Sequence, residues 1–201
     1  MGMIFTTFAS PLGQMQLCCD GTHLTAVTFD GQKHEDLHIP ADAVFGSCAV
    51  LEQTKLWLTQ YFDGLIPDFL PSMAPKGTPF QQRVWQMLLE IPYGQTVTYG
   101  ELAKTLGCKS AQAVGGAVGR NPISILIPCH RVVGADGSLT GYAGGVEKKE
   151  FLLATEKTID KKCKGEHCSS AITDLYCGNG RPMAAPTYSF LFYREDQGHF
   201  E

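Results

Sequence analysis

The chemistry of this chain gathers at Pro128-Cys129-His130, where one cysteine stands between a proline and a histidine at the end of the apolar run Ile123 to Ile127. A thiolate attacks where a thiol does not, and an adjacent imidazole or guanidinium can lower the thiol's usual pKa of about 8.5. His130 and Arg131 follow directly. The run before the cysteine is β-branched enough to read as a short buried strand. Pro128 cannot continue that strand as a central ladder member, so Cys129 is expected where the chain turns away. Spacing alone leaves a second reading open, since buried cysteines are often inert core residues.

A cysteine can react only if other elements hold it in place, and the sequence marks several. Short alternating segments at Ile4–Phe8, Met15–Cys19 and Leu24–Phe29, broken at Ser10-Pro11-Leu12-Gly13 and Asp20-Gly21, predict a small antiparallel sheet. Residues 30–46 read as a surface loop, and Ser47 to Phe62 as an amphipathic helix stopped by Gly64. Residues 64–79, with Pro67, Pro71, Pro75 and Pro79, read as a linker between two parts. Thr78-Pro79-Phe80-Gln81 opens a helix through a capping box, with Phe80, Trp85 and Leu88 as core, and Pro92 ends it. Thr98-Tyr99-Gly100-Glu101 is a second capping box, and Ser110 caps a further helix from Ala111 to about Val118. Two short helices around Gly107-Cys108-Lys109 have the dimensions of a helix-turn-helix.

The second of these helices is small-sided, with Ala111, Ala113, Gly115, Gly116 and Ala117 followed by Gly119. Each interior glycine costs about 1 kcal/mol relative to alanine. Either another helix packs closely on that face, or its backbone must approach a ligand such as a DNA groove.

The chain has 201 residues and a formal net charge of −4, enough for one large domain or two small ones. Residues 1–98 hold four basic against nine acidic side chains, whereas residues 99–150 hold six against four, so the cations collect around Cys129. The sequence shows no run of about 18 apolar residues and no secretory signal pattern, and a cytoplasmic protein with reduced thiols is expected. Of the eight cysteines only Cys163, Cys168 and Cys177 cluster, which does not suit a disulfide scaffold. With His167 they have the residue types for zinc but not the paired spacing.

Asn121-Pro122, Pro128-Cys129-His130-Arg131-Val132-Val133 and Gly141-Tyr142-Ala143-Gly144-Gly145 together resemble the active-site signature of the O6-alkylguanine-DNA alkyltransferases, and the likeness extends over about residues 3 to 158. It implies an α+β protein: a small N-terminal antiparallel-sheet, ribonuclease H-like domain with its linker (1–77), a C-terminal helical, winged-helix-like domain (78–158), and an extension of unknown role (159–201). The implied function is direct repair of DNA. An alkyl group passes once and irreversibly from O6 of a flipped guanine to the protein's own cysteine.

By resemblance, Cys129 accepts the alkyl group, His130 takes its proton through a water, and Glu156 holds the imidazole. Tyr99 donates to the guanine ring. Asn121 braces the turn, Tyr142 and Ala143 line the alkyl pocket, and Lys149 supports the pocket loop. The helix carrying Ala111, Ala113, Gly115 and Gly116 enters the minor groove. Arg120 either enters the base stack in place of the arginine that some members insert or contacts phosphate. The N-terminal zinc site of some members is not reproduced, because Cys18, Cys19 and His23 fall off its pattern. No cofactor or metal is expected, the partner is double-stranded DNA bearing O6-alkylguanine, no membrane is involved, and the protein acts as a monomer. A DNA-binding regulator with an idle cysteine and a cysteine hydrolase are the rival readings. Neither explains the small-sided helix and the Pro128–Val133 signature together.

Overall fold

The first three strands form where alternation and turn residues place them. β1 (Ile4–Ser10), β2 (Gly13–Cys19) and β3 (Leu24–Phe29) run antiparallel, with Phe5 opposite Cys18 and Leu17 opposite Val27. Gly13 makes the first hairpin possible, since its φ of +105° is left-handed backbone that a side chain would strain. This computed structural model describes residues 2–33 and 38–164, with side chains through residue 159. The expectations for Cys163, His167, Cys168 and Cys177 concern side chains outside the described residues.

Three local expectations are corrected. The loop of residues 30–46 contains a short strand, β4 (Val44–Phe45), which lies parallel to β1 and gives the sheet order β3-β2-β1-β4. The proline-rich linker is pinned down: Leu24 N donates to Ser72 O, Ala74 N donates to Leu24 O, and Met73 is buried. Last, Ile123–Ile127 is a turn rather than a strand, with one bridge between Ile123 and Val27. Two bonds hold it on the sheet, from Val27 N to Pro122 O and from Ser124 N to Val27 O. The edge of β3 is thereby closed by the segment that leads to Cys129, and all six β3 residues are buried instead of alternating. Ile125 sits at φ +71°, a left-handed conformation that is strained for a β-branched residue. Its side chain is buried, and the surrounding packing enforces the turn.

Helix α1 (Ala49–Phe62) covers the sheet with Leu51, Trp57, Leu58 and Tyr61. Its N-cap is Cys48, which makes no side-chain capping bond, so its stability rests on that apolar stripe. Both capping boxes form as expected, at Thr78/Gln81 ahead of α2 (Pro79–Leu89) and at Thr98/Glu101 ahead of α3 (Tyr99–Thr105). The Ser110 side chain caps α4 (Ala111–Val118). Trp85 Nε1 donates to Ala117 O at 2.9 Å and locks α2 to α4, with Trp85 and Leu88 in the core. The strand β5 (Val97–Thr98) pairs in parallel with β6 (Val132–Val133), a ladder that the sequence did not announce. It joins the start of α3 to the segment just after Cys129. α5 (Val146–Lys164) closes the described part of the structure.

Candidate active site

Cys129, His130 and Arg131 form a single 3-10 turn between the Ile125 turn and β6, and all three are buried. Cys129 is 5% exposed. Asn121 organises the approach to it: Nδ2 donates to Ile123 O at 3.2 Å, Ile127 O at 2.9 Å and Cys129 Sγ at 3.1 Å, while Oδ1 accepts from Ile123 N at 3.0 Å. The brace expected of Asn121 is therefore present, and it touches the sulfur as well. Burial pushes the Cys129 thiol up, while the Asn121 donor and the nearby Lys149 charge work the other way. The neighbouring guanidinium gives no such help. Arg131 points to Glu156, so the lowering of the thiol anticipated from it does not arise.

Glu156 lies in the middle of α5, and its side chain is fully buried. Oε1 accepts from His130 Nε2 at 2.7 Å, Arg131 Nη2 at 2.8 Å and Tyr61 Oη at 3.1 Å. Oε2 accepts from Arg131 Nε at 2.8 Å and Gly94 N at 3.2 Å. Burial alone would raise this carboxyl, but the hydrogen bonds from His130 and Arg131 and the Arg131 charge hold it far below the carboxylate range. An ionised carboxylate only accepts, so His130 must carry its proton on Nε2. Nδ1, buried and without a hydrogen-bonding partner among the described residues, is left as the basic nitrogen. Burial lowers the His130 pKa against the pull of Glu156, keeping the ring neutral.

Arg131 also donates to Ile91 O, and its guanidinium lies 4.3 Å from the Tyr93 ring centre. Arg131, Tyr61 and Gly94 were not singled out from the sequence for Glu156. Nothing in local spacing connects residues 61, 94 and 156.

The pocket loop is held from below. Lys149, which the resemblance made a support of this loop, is fully buried on α5. Its Nζ donates to Val132 O at 2.5 Å and Thr140 O at 2.8 Å and lies 6.0 Å from the Tyr99 ring. Burial brings its pKa down to about 8. Tyr99 Oη donates to the same Thr140 carbonyl at 3.0 Å. A Cβ on Gly141 would stand 2.5 Å from that hydroxyl, so glycine is required there. The Tyr142 hydroxyl is buried with no hydrogen bond of ordinary geometry among the described residues, and burial pushes it well above the usual phenol range. Ala143 is half-buried beside it and accepts from Lys33 N at 3.3 Å.

The face of α4 answers the question raised by its glycines. A Cβ on Gly115 would meet only the Tyr99 ring at 3.7 Å, and one on Gly116 only Arg120 Nη1 at 3.6 Å, both ordinary contacts. Only the Tyr99 side chain of α3 and the end of Arg120 come this near, both with room for a methyl group, so tight helix packing does not account for these glycines. Ala111, Gln112 and Ala113 are exposed. Arg120 folds back from the end of the helix, with Nη1 3.4 Å from Gly116 O. An open groove is lined by Thr78, Phe80, Gln112, Ala113, Gly116 and Arg120. Gln112 was not named from the sequence, although its place in the first turn of α4 puts it on this face.

Two family models match the chain: the 6-O-methylguanine DNA methyltransferase DNA-binding domain over residues 79–158 and the ribonuclease-like domain of the same proteins over residues 3–69. The chain belongs to the O6-methylguanine-DNA methyltransferase family. Relatives named methylated-DNA–protein-cysteine methyltransferase include one from Methanosarcina acetivorans, 45% identical over 77% of this chain and 98% of its own length. Another, from Haemophilus influenzae, is 42% identical over 79% and 90%. The crystal structure of Mycobacterium tuberculosis OGT in complex with DNA aligns with a TM-score of 0.72 at 41% identity, covering 78% of this chain and 94% of that one. The methyltransferase fold, an N-terminal sheet and a helical DNA-binding unit, is the one described above. Among the described residues no group of three or more His, Cys, Asp or Glu side chains is placed to hold a metal ion, and no helix is long and apolar enough to cross a membrane.

Proposed function

We propose that this methyltransferase removes alkyl groups from O6 of guanine in double-stranded DNA by transferring them to Cys129. The observation that carries this assignment is a buried thiol touched by Asn121 Nδ2 at 3.1 Å, next in sequence to an imidazole held at 2.7 Å by a buried carboxylate. His130 Nδ1 takes the thiol proton through a water, because adjacent side chains point apart. The thiolate attacks the alkyl carbon, an S–C bond forms as the C–O6 bond breaks, and the electron pair leaves on the purine. Tyr99, whose hydroxyl rests on Thr140 O at 3.0 Å, turns its one proton from that carbonyl to the departing base, while Lys149 keeps Thr140 O paired. Tyr142 and Ala143 line the alkyl pocket.

The small face of α4 supports entry into the minor groove, with Arg120 and Gln112 at its two ends. Such contacts hold DNA without reading sequence, so the lesion sets specificity. The nucleotide has to leave the stack to bring its alkyl carbon to a thiol that is 5% exposed. The product is a thioether with no good leaving group, and each molecule acts once. Residues 1–77, 78–158 and 159–201 are the corresponding division of the chain.

The test is a duplex carrying one labelled O6-methylguanine. Label on the peptide holding Cys129, at one methyl per protein and absent in Cys129→Ser, is expected. DNA binding without label on the protein would favour a regulator, and repeated turnover would favour a hydrolase.

A further inference from the structure

Helix α1 belongs to the N-terminal sheet unit, yet one of its side chains reaches the acid–base pair of the transfer site. Tyr61 Oη donates at 3.1 Å to Glu156 Oε1, the same oxygen that accepts His130 Nε2 at 2.7 Å. Neither Tyr61 nor Glu156 is exposed to solvent. The Tyr61 ring is fixed on both sides, stacked on Trp57 at 5.5 Å and 11° and set 6.2 Å from Tyr93, whose other neighbour is the Arg131 guanidinium. The hydroxyl is thus aimed at the carboxylate by packing.

We infer that Tyr61 is a positioning residue for methyl transfer, supplied by the N-terminal unit, which sets how strongly Glu156 holds the His130 proton. This rests on the His130–Glu156 relay described under Proposed function. A carboxylate presents about four lone-pair sites, and five donors share this one: Tyr61 Oη, Gly94 N, His130 Nε2, and Nε and Nη2 of Arg131. The donors compete for the same charge. Each bond from Tyr61 or Arg131 makes Oε1 a weaker acceptor for His130, and so favours the neutral imidazole, with its proton on Nε2 and its lone pair on Nδ1. Arg131 supplies countercharge, and Tyr61 trims basicity without adding charge. The other titratable groups acting on His130 are Lys149 from α5 and Arg131 beside it, both opposing its protonation. Tyr61 adds to that opposition indirectly, through Glu156.

The arrangement also gives the N-terminal unit a part in the chemistry. That unit contributes no group to the thiol itself, but the orientation of the base depends on α1 being seated. Seating follows from Leu51 and Leu58 packing on the sheet, whose β3 edge carries the segment leading to Cys129. Sheet, α1, Glu156 and the 3-10 turn therefore form a closed mechanical loop.

Tyr61→Phe tests the inference, since it removes one oxygen and keeps the ring stack. The readout is the single-turnover rate of methyl transfer against pH in the full chain, with the His130 ring titration followed by NMR. Loss of one donor makes Glu156 more basic and raises the His130 pKa, so the acid limb moves to higher pH by roughly half a unit to one unit, a threefold to tenfold loss of rate below the limb. Thr54→Val is the control: Thr54 is buried on the same helix and bonds only to Val50 O among the described residues, so it loosens α1 without touching Glu156. A limb that moves in Tyr61→Phe and not in Thr54→Val supports the inference. Equal movement in both overturns it in favour of general loosening. An unmoved limb in Tyr61→Phe, together with a changed profile in Glu156→Gln, overturns it while leaving the relay intact. If Glu156→Gln also leaves the profile and the ring titration unchanged, the relay fails, and this inference with it.

Discussion

Replacing Asn121 with alanine isolates the brace that holds the cysteine. The side chain makes four buried contacts, and they are not equivalent. Ile123 O and Ile127 O keep other donors, Ile127 N and Cys129 N, so losing Asn121 there removes two bonds worth about 0.5–1 kcal/mol each. Ile123 N donates to Asn121 Oδ1, and left buried without an acceptor it costs roughly 1–3 kcal/mol. The sum is about 2–5 kcal/mol, which for a protein of this size lowers the melting temperature by roughly 5–15 °C. The fourth contact is chemical. Without Nδ2 on the sulfur, burial acts on the thiol with less opposition, its pKa rises further, and transfer at neutral pH slows by about tenfold. Thermal unfolding by circular dichroism and single-turnover transfer to a labelled duplex measure the two effects separately. A melting temperature within about 2 °C of wild type would show that the brace is not structural. An unchanged rate would show that the contact with the sulfur does not govern ionisation.

Further outcomes follow from the same geometry. Gly116→Ala meets only the end of Arg120, so it stabilises the fold by up to about 1 kcal/mol, yet it weakens binding to duplex DNA; equal or tighter binding by fluorescence anisotropy would remove the groove-facing role of α4. Lys149→Met takes the cation from beside Cys129, so the pH at which the thiol becomes reactive moves up, as read from iodoacetamide labelling of Cys129 against pH. Glu156 has a depressed carboxyl, so its stabilising contribution is complete above its unfolded pKa of about 4.3 and is lost as pH falls toward the folded value. Urea unfolding between pH 3 and 7 is therefore expected to show a steeper acid loss in wild type than in Glu156→Gln. The glutamine variant is also the less stable of the two at pH 7, by roughly 3–5 kcal/mol, because Arg131 is left buried without its countercharge.

What the sequence made legible was mostly local. Thr78/Gln81 and Thr98/Glu101 announced their helices because a capping box is complete within four residues, and the strands of the β1–β3 meander announced themselves by alternation and Gly13. The Cys129 signature and the small face of α4 were equally contiguous. The misreadings have one origin, contacts across long separations. Ile123–Ile127 has the composition of a strand, but its partner, β3, takes a single bridge from it, and the rest coils through Ile125. The proline-rich stretch around Met73 looked like a linker because nothing within it reveals that Leu24 will bind its backbone. Glu156 came from the resemblance alone, and Arg131, Tyr61 and Gly94 were invisible as its partners, since a buried carboxylate can draw donors from anywhere in the fold. Lys149 gave the same surprise from the other direction. Lysine is rarely buried, and only the carbonyls of Val132 and Thr140 explain why it is buried here.

The five donors on Glu156 of α5 come from α1, the turn after α2 and the 3-10 turn, spanning residues 61 to 131. No single element of the fold contains that set. On the assignment proposed above, His130 can serve Cys129 as a base only once α5 has docked and brought Glu156 to it. For a molecule that can react only once, the order matters. A chain that armed its cysteine early would be used up by stray electrophiles before it could grip DNA. Burying the switch at the point where every part of the fold meets ties reactivity to completion, so that the single use is kept for a finished protein.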